Sequence, residues 1–154
     1  MIGINFFIFN FPAHAASIDP IIRRYFGTEP VEVKYDNQGN THQFTIEQFN
    51  EGKELFDSSC INCHAGGLNF LYPGVSLSLK DLQGATPPRD TISRLIDYMR
   101  YPLSYDGSDT NYSCRQVSED WMPQPTAEKL AAYILYSAEV VPEWGIPQKS
   151  PFDF

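Results

Sequence analysis

Positive charge, sulfur and imidazole are all scarce in this 154-residue chain, which has 11 lysines and arginines against 19 acidic residues, three cysteines and three histidines. The resulting formal charge of −8, with a pI near 4.7, argues against a nucleic-acid role, because phosphates would be repelled. The same acidity suits partners with basic or charge-selected docking surfaces. Past the N-terminus no run is long and apolar enough for a membrane-spanning helix. There is no internal repeat and no break in composition. With 42% hydrophobic and 19% charged residues, the chain reads as one globular domain with an ordinary core. No acid–base pair or nucleophile cluster argues for hydrolytic catalysis, so an enzyme is not expected.

The opening stretch, MIGINFFIFNFPAHAAS, lacks Lys, Arg, Asp and Glu altogether. Its apolar run from Ile2 to Phe11 is too short to cross a bilayer. Ala13-His14-Ala15 has the small-x-small form of a signal-peptidase site, although a basic n-region is missing. The expectation is a signal peptide over residues 1–15 and a single exported domain over 16–154, with a buried N-terminal strand or tail as the rival reading.

What is present then organises the chain. Val31, Val33 and Tyr35 alternate before the turn letters Asp36-Asn37-Gln38-Gly39-Asn40, which predicts a small β-hairpin. Thr45-x-x-Gln48 is a capping-box pattern, and Ile46, Phe49, Phe56 and Cys60 recur at helical spacing. Residues 65–89 are rich in Gly, Pro and Ser and read as mostly loop, long enough to wrap a bound group. Asp90 is the expected cap of a helix carrying Ile92, Leu95, Ile96 and Met99, which Pro102 ends. A second long loop leads to a last helix from about Thr126, with Leu130, Ile134 and Ala138 on one stripe and Tyr133 flanking it. Gly52, inside a helix, costs about 1 kcal/mol relative to Ala; a close crossing with the final helix near Tyr133 would explain it, with a harmless surface glycine as the alternative.

The most specific signal is Cys60-Ile61-Asn62-Cys63-His64. A structural zinc site wants four protein ligands, and Cys114 lies far along the chain with no partner at ligand spacing. A redox dithiol belongs at the start of a helix in a βαβ unit, whereas this motif follows a helix and no parallel sheet is expected. A chance match in a structural segment is the bland alternative. Cys-x-x-Cys-His satisfies covalent c-type haem attachment residue by residue: two thiols one turn apart for the thioethers, and an adjacent histidine for the iron. That chemistry assigns Cys60 and Cys63 to the thioethers of one haem c and His64 to the proximal axial position. Export would place attachment outside the cytoplasm.

Three runs, EQFNEGKELFDSSCINCH, ATPPRDTISRLIDYMRYPLSYDG and TAEKLAAYILYSAEVVPEWG, resemble the low-potential extrinsic cytochrome c of cyanobacterial photosystem II, the PsbV type. The resemblance covers roughly residues 28 to 145. It implies a mainly α, class I cytochrome c fold with a small N-terminal β-hairpin and long haem-wrapping loops. It also implies a place in the thylakoid lumen, peripheral to the lumenal side of the membrane, with photosystem II lumenal subunits or a soluble redox partner as its contacts.

In that family the sixth iron ligand is a second histidine, in the loop before the final helix. Here the loop reads SDTNYSCRQVSEDWMP and has no histidine; Cys114 stands at the matching place, offset by a residue or so. Cys114 is therefore the expected distal ligand, as a thiolate, since coordination lowers a thiol pKa. Met122, followed by Pro123, mimics the methionine ligand of ordinary class I cytochromes and is the alternative; its bland reading is a core residue. An open site is the third reading, and His42 is expected at the surface. Pro87 or Pro88 is the expected source of a carbonyl for the other ring N–H of His64. Ile92, Leu95, Tyr101, Tyr105 and Trp121 are candidates for the haem wall, or else ordinary core. The functional expectation is a low-potential monohaem electron carrier. Its alternatives are a structural subunit stabilising the oxygen-evolving side of photosystem II, or a gas-binding haem protein.

Overall fold

The computed structural model describes residues 17–71 and 74–147; the expected signal peptide lies outside the described residues. Asp19 caps a short helix α1 (Pro20–Tyr25), with its carboxylate accepting from the Ile21 N–H at 2.8 Å. Strands β1 (Val31–Lys34) and β2 (Thr41–Phe44) form the expected antiparallel hairpin, with Val31 opposite Phe44 and Val33 opposite His42. Asp36 holds the turn by accepting from the backbone N–H groups of Gln38 and Asn40.

Helix α2 (Ile46–Ser59) begins with the capping box foreseen from the sequence. The Gln48 N–H donates to Thr45 Oγ1 at 3.4 Å, and the Thr45 N–H donates to Gln48 Oε1 at 2.9 Å. Two orphan donors are thereby satisfied. Helix α3 (Ile61–His64) and a 3-10 turn (Ala65–Gly67) follow at once. The loop expected over 65–89 is interrupted by α4 (Leu79–Gly84), capped by Ser78 and anchored by buried Leu82. Its start signal is legible afterwards: Ser78 accepts from the Asp81 N–H three residues on. Helix α5 (Ile92–Arg100) buries Ile92, Leu95, Ile96 and Met99 as predicted, but its cap is Thr91, one residue later than expected.

The last helix, α6 (Gln124–Val140), starts two residues earlier than expected, with Pro125 in its first turn, where a missing N–H costs nothing. It is buried far more widely than a single stripe: Leu130, Ala131, Ala132, Tyr133, Ile134 and Leu135 are all in the core. Its small residues let α2 approach. At Gly52 an added Cβ would strike the Lys129 carbonyl oxygen and stand 2.9 Å from Tyr133 Cβ. Around this crossing an aromatic cluster forms, with Phe26 stacked on Tyr133, Phe49 on Tyr136, and Phe56 beside Trp144. The crossing fixes the end of α2, and so fixes where the Cys-x-x-Cys-His segment begins.

Candidate functional site

Cys60 ends α2 and opens α3. Its carbonyl accepts from the N–H groups of Cys63 at 3.1 Å and His64 at 3.0 Å, so the two thiols and the imidazole share a single helical turn. Directly after His64 the chain reverses through Gly66 (φ +59°) and Gly67 (φ +76°), conformations that only glycine adopts at no cost. Gly67 has a second reason to be glycine: an added Cβ would lie 2.7 Å from the Trp144 ring and from the Gly145 nitrogen. The Gly145 N–H donates to the Gly66 carbonyl, and Trp144 Nε1 donates to the Leu77 carbonyl, pinning the C-terminal end of the core against this reversal.

The reversal returns Leu68 to the histidine. His64 Nδ1 lies 3.0 Å from the Leu68 carbonyl oxygen, which places the proton on Nδ1 and leaves the Nε2 lone pair free. This corrects the expectation that Pro87 or Pro88 would supply that carbonyl. The local glycine turn does so from four residues away. Burial lowers the His64 pKa, partly offset by the Leu68 hydrogen bond, so the imidazole is held neutral, as a metal ligand must be.

Cys60, Cys63 and Cys114 are all free thiols and all half-buried. Burial pushes Cys60 up to about 11, with further contributions from Cys114 and Cys63. Cys114, although distant in sequence, is therefore within electrostatic reach of Cys60 and Cys63. Burial also raises the Cys114 pKa, while nearby Tyr98 and the charge of Arg89 pull it back; among the described residues the sulfur's one hydrogen-bond partner is the Arg115 carbonyl at 3.9 Å. Met122 sits elsewhere in kind. It is 3% exposed within the contiguous hydrophobic core, and its carbonyl accepts from Arg100 Nη2 at 2.7 Å. His42 stacks on Tyr35 and lies 3.6 Å from Glu128, committed to the hairpin and α6. Of the wall candidates, Ile92 and Leu95 belong to the core, Tyr105 and Trp121 are partly exposed, and Tyr101 is 75% exposed.

Three residues that matter here were not singled out from the sequence. Arg89 is nearly buried, donating from Nη2 to the carbonyls of Leu103 at 3.0 Å and Ser104 at 2.8 Å, with its guanidinium 3.8 Å over the Tyr98 ring. Tyr98 receives the Asn111 side-chain amide at 3.0 Å. Arg100 donates to the carbonyls of Val117 and Met122. A weak signal for Arg89 existed: a cation just ahead of a helix N-terminus opposes the helix dipole and needs another reason to be there.

The donor set fits a c-type haem. Two free thiols lie one turn apart, a neutral imidazole has one nitrogen free, and a third sulfur lies within their electrostatic reach. A helical fold closed around such a set defines a c-type cytochrome. Residues 24–151 match the model of the cytochrome c-550 domain. The chain belongs to the cytochrome c-550 family, an electron-carrier family, and its cofactor is a c-type haem. It is 50% identical over 132 residues to the cytochrome c-550-like protein of Synechococcus sp. strain JA-3-3Ab, covering 85% of this chain and 76% of that one. It is 47% identical over 116 residues to photosystem II extrinsic protein V of Gloeobacter violaceus, covering 75% and 62% of the two chains. The crystal structure of the PsbV2 cytochrome from Thermosynechococcus elongatus superposes with a TM-score of 0.82 at 50% identity, covering 84% of this chain and 100% of that one. The mainly helical fold with one small hairpin is thus the class I cytochrome c fold expected from the sequence.

Proposed function

We propose that the protein is a low-potential, single-haem electron carrier with His64 and Cys114 as its axial ligands. What supports this reading is that Cys114, distant in sequence, lies within electrostatic reach of Cys60 and Cys63, while Met122 is buried in the core. A c-type haem supplies a one-electron ferric–ferrous couple, which axial ligands shift across about 0.8 V. Cys60 and Cys63 tether the group as thioethers. His64, oriented by Leu68, offers neutral Nε2. Cys114, as an anionic thiolate, favours the ferric state and so lowers the potential.

The relatives support a site of action. One of them is named as an extrinsic protein of photosystem II, which supports a peripheral place at the lumenal face of the thylakoid membrane, against that photosystem. Among the described residues no helix is long and apolar enough to cross a membrane. The relative's name also supports the second reading, a subunit that stabilises the photosystem without turning over.

The ferric protein is the test. Its optical and paramagnetic spectra should be low-spin and of thiolate type. Cys114→Ala should lose that signature and raise the midpoint potential, whereas Met122→Ala should leave the spectrum in place. If Met122→Ala alters the spectrum and Cys114→Ala does not, the protein is a His–Met cytochrome instead. Covalent attachment is checked separately: haem should stay with the chain on a denaturing gel and be lost when Cys60 and Cys63 are both alanine.

A further inference from the structure

Two turns with left-handed backbone meet beside the histidine. Gly66 and Gly67 reverse the chain after His64, and Glu143 and Gly145 turn it after α6, with Glu143 at φ +63° although it carries a side chain. Such backbone at a non-glycine residue persists only where its surroundings hold it, and it concentrates where a geometry is used. Between the two turns stands Trp144, 8% exposed. Its ring packs on Phe56 of α2 and Tyr133 of α6, at centroid distances of 5.5 and 5.8 Å. Its Nε1 edge fills the space a Cβ on Gly67 would need. That edge is also tied down. Trp144 Nε1–H donates to the Leu77 carbonyl at 3.0 Å, and the Leu77 N–H donates to the Gly67 carbonyl at 2.7 Å. The Gly145 N–H donates to the Gly66 carbonyl at 2.7 Å, and an added Cβ on Gly145 would lie 2.5 Å from the Ser78 nitrogen. Leu68 follows Gly67 directly, and its carbonyl oxygen lies 3.0 Å from His64 Nδ1. A connected path thus runs from the aromatic core through Leu77, Gly67 and Leu68 to the imidazole.

We propose that Trp144 is a positioning residue, which clamps the Gly66–Gly67 turn so that the Leu68 carbonyl stays on His64 Nδ1 and keeps the imidazole a strong donor to iron. The proposal rests on His64 being the proximal ligand. A carbonyl that accepts the Nδ1 proton fixes the orientation of the ring and raises the basicity of its other nitrogen. A more basic Nε2 favours the more highly charged ferric ion, so the clamp lowers the potential. The bland alternative is that Trp144 only fills the core, and the experiment separates the two.

Trp144→Leu removes the ring, and Trp144→Phe keeps an aromatic ring in the core while removing the donor to Leu77. Phe49→Leu is the control, because Phe49 is buried in the same aromatic cluster through Phe26, Phe44 and Tyr136 and not through Trp144. In the holoprotein, Trp144→Leu should shift the one-electron equilibrium about tenfold toward the ferrous form, a rise of about 59 mV. Trp144→Phe, the milder change should the first fail to fold, should shift it about threefold. In the proton magnetic resonance spectrum of the ferric protein, the His64 Nδ1–H should exchange with solvent several-fold faster in both. Phe49→Leu should lower the unfolding temperature as much as Trp144→Leu, yet change the equilibrium and the exchange rate less than twofold. Equal shifts in Phe49→Leu and Trp144→Leu would make Trp144 a core residue only and overturn the proposal. So would an unchanged potential and unchanged exchange in the Trp144 variants. Failure of the underlying reading looks different: in the unsubstituted ferric protein the His64 ring protons would then lack the large paramagnetic shifts of an iron ligand.

Discussion

Gly52 shows how much one residue decides and how much of it is readable. A glycine inside a helix is costly, and a close approach of another backbone explains the cost where a harmless surface position does not. The Lys129 carbonyl and Tyr133 Cβ occupy the space a side chain would need. Gly52→Ala should therefore destabilise the protein by about 1–3 kcal/mol, because overpacking outweighs the gain in helix propensity. Thermal unfolding of the holoprotein checks this, and a rise in midpoint temperature would contradict the close crossing. The turn that gathers Cys60, Cys63 and His64 was equally legible, since they are neighbours in sequence. Leu68, Tyr98 and Arg89 were not. A carbonyl has no sequence signature, and a buried arginine looks like any surface arginine until the loop it binds is in place.

At the scale of elements, local chemistry was readable and long-range chemistry was not. The hairpin turn, the capping box of α2 and the apolar stripe of α5 each depend on residues within about one turn of one another. The short helices α1 and α4 were missed because six residues carry too little periodicity to separate from loop, and tertiary packing of Ile22 and Leu82 decides them. The loop from Tyr101 to Pro123 carries the proposed ligand Cys114, and it contains no regular secondary structure beyond an isolated bridge between Leu103 and Thr110. Its order comes from outside. Arg100, in the last turn of α5, spans it by donating to Val117 at 2.9 Å and Met122 at 2.7 Å. Arg100→Gln should cost about 2 kcal/mol, since charge-assisted bonds are worth about 1.5–3 kcal/mol each and only part is lost. Amide exchange should accelerate across residues 101–123 while α2 and α6 stay protected. Uniform loss of protection would mean that Arg100 supports the whole core and not this loop.

For the whole molecule the governing quantity is charge. A formal −8 on a chain of this size leaves an acidic surface whose attachment to basic partners is long-ranged and screened by salt. The screening length falls from about 10 Å at 0.1 M to about 3 Å at 1 M ionic strength. Proposed docking at the lumenal face of photosystem II should therefore persist at low salt and be released by 1 M sodium chloride without detergent. Release that required detergent would point to an apolar anchor and contradict the reading. The salt-washed particles then distinguish the carrier from the purely structural subunit, because both would rebind. Cys114→Ala alters the iron ligand but none of the acidic surface, so its rebinding should match that of the unchanged protein. If the protein acts only by occupying its place, both forms restore oxygen evolution equally. If the thiolate-set potential is used, Cys114→Ala rebinds fully yet fails to restore single-turnover electron transfer to the haem, and equal electron-transfer rates for the two forms would remove the reason for a sulfur ligand in this loop.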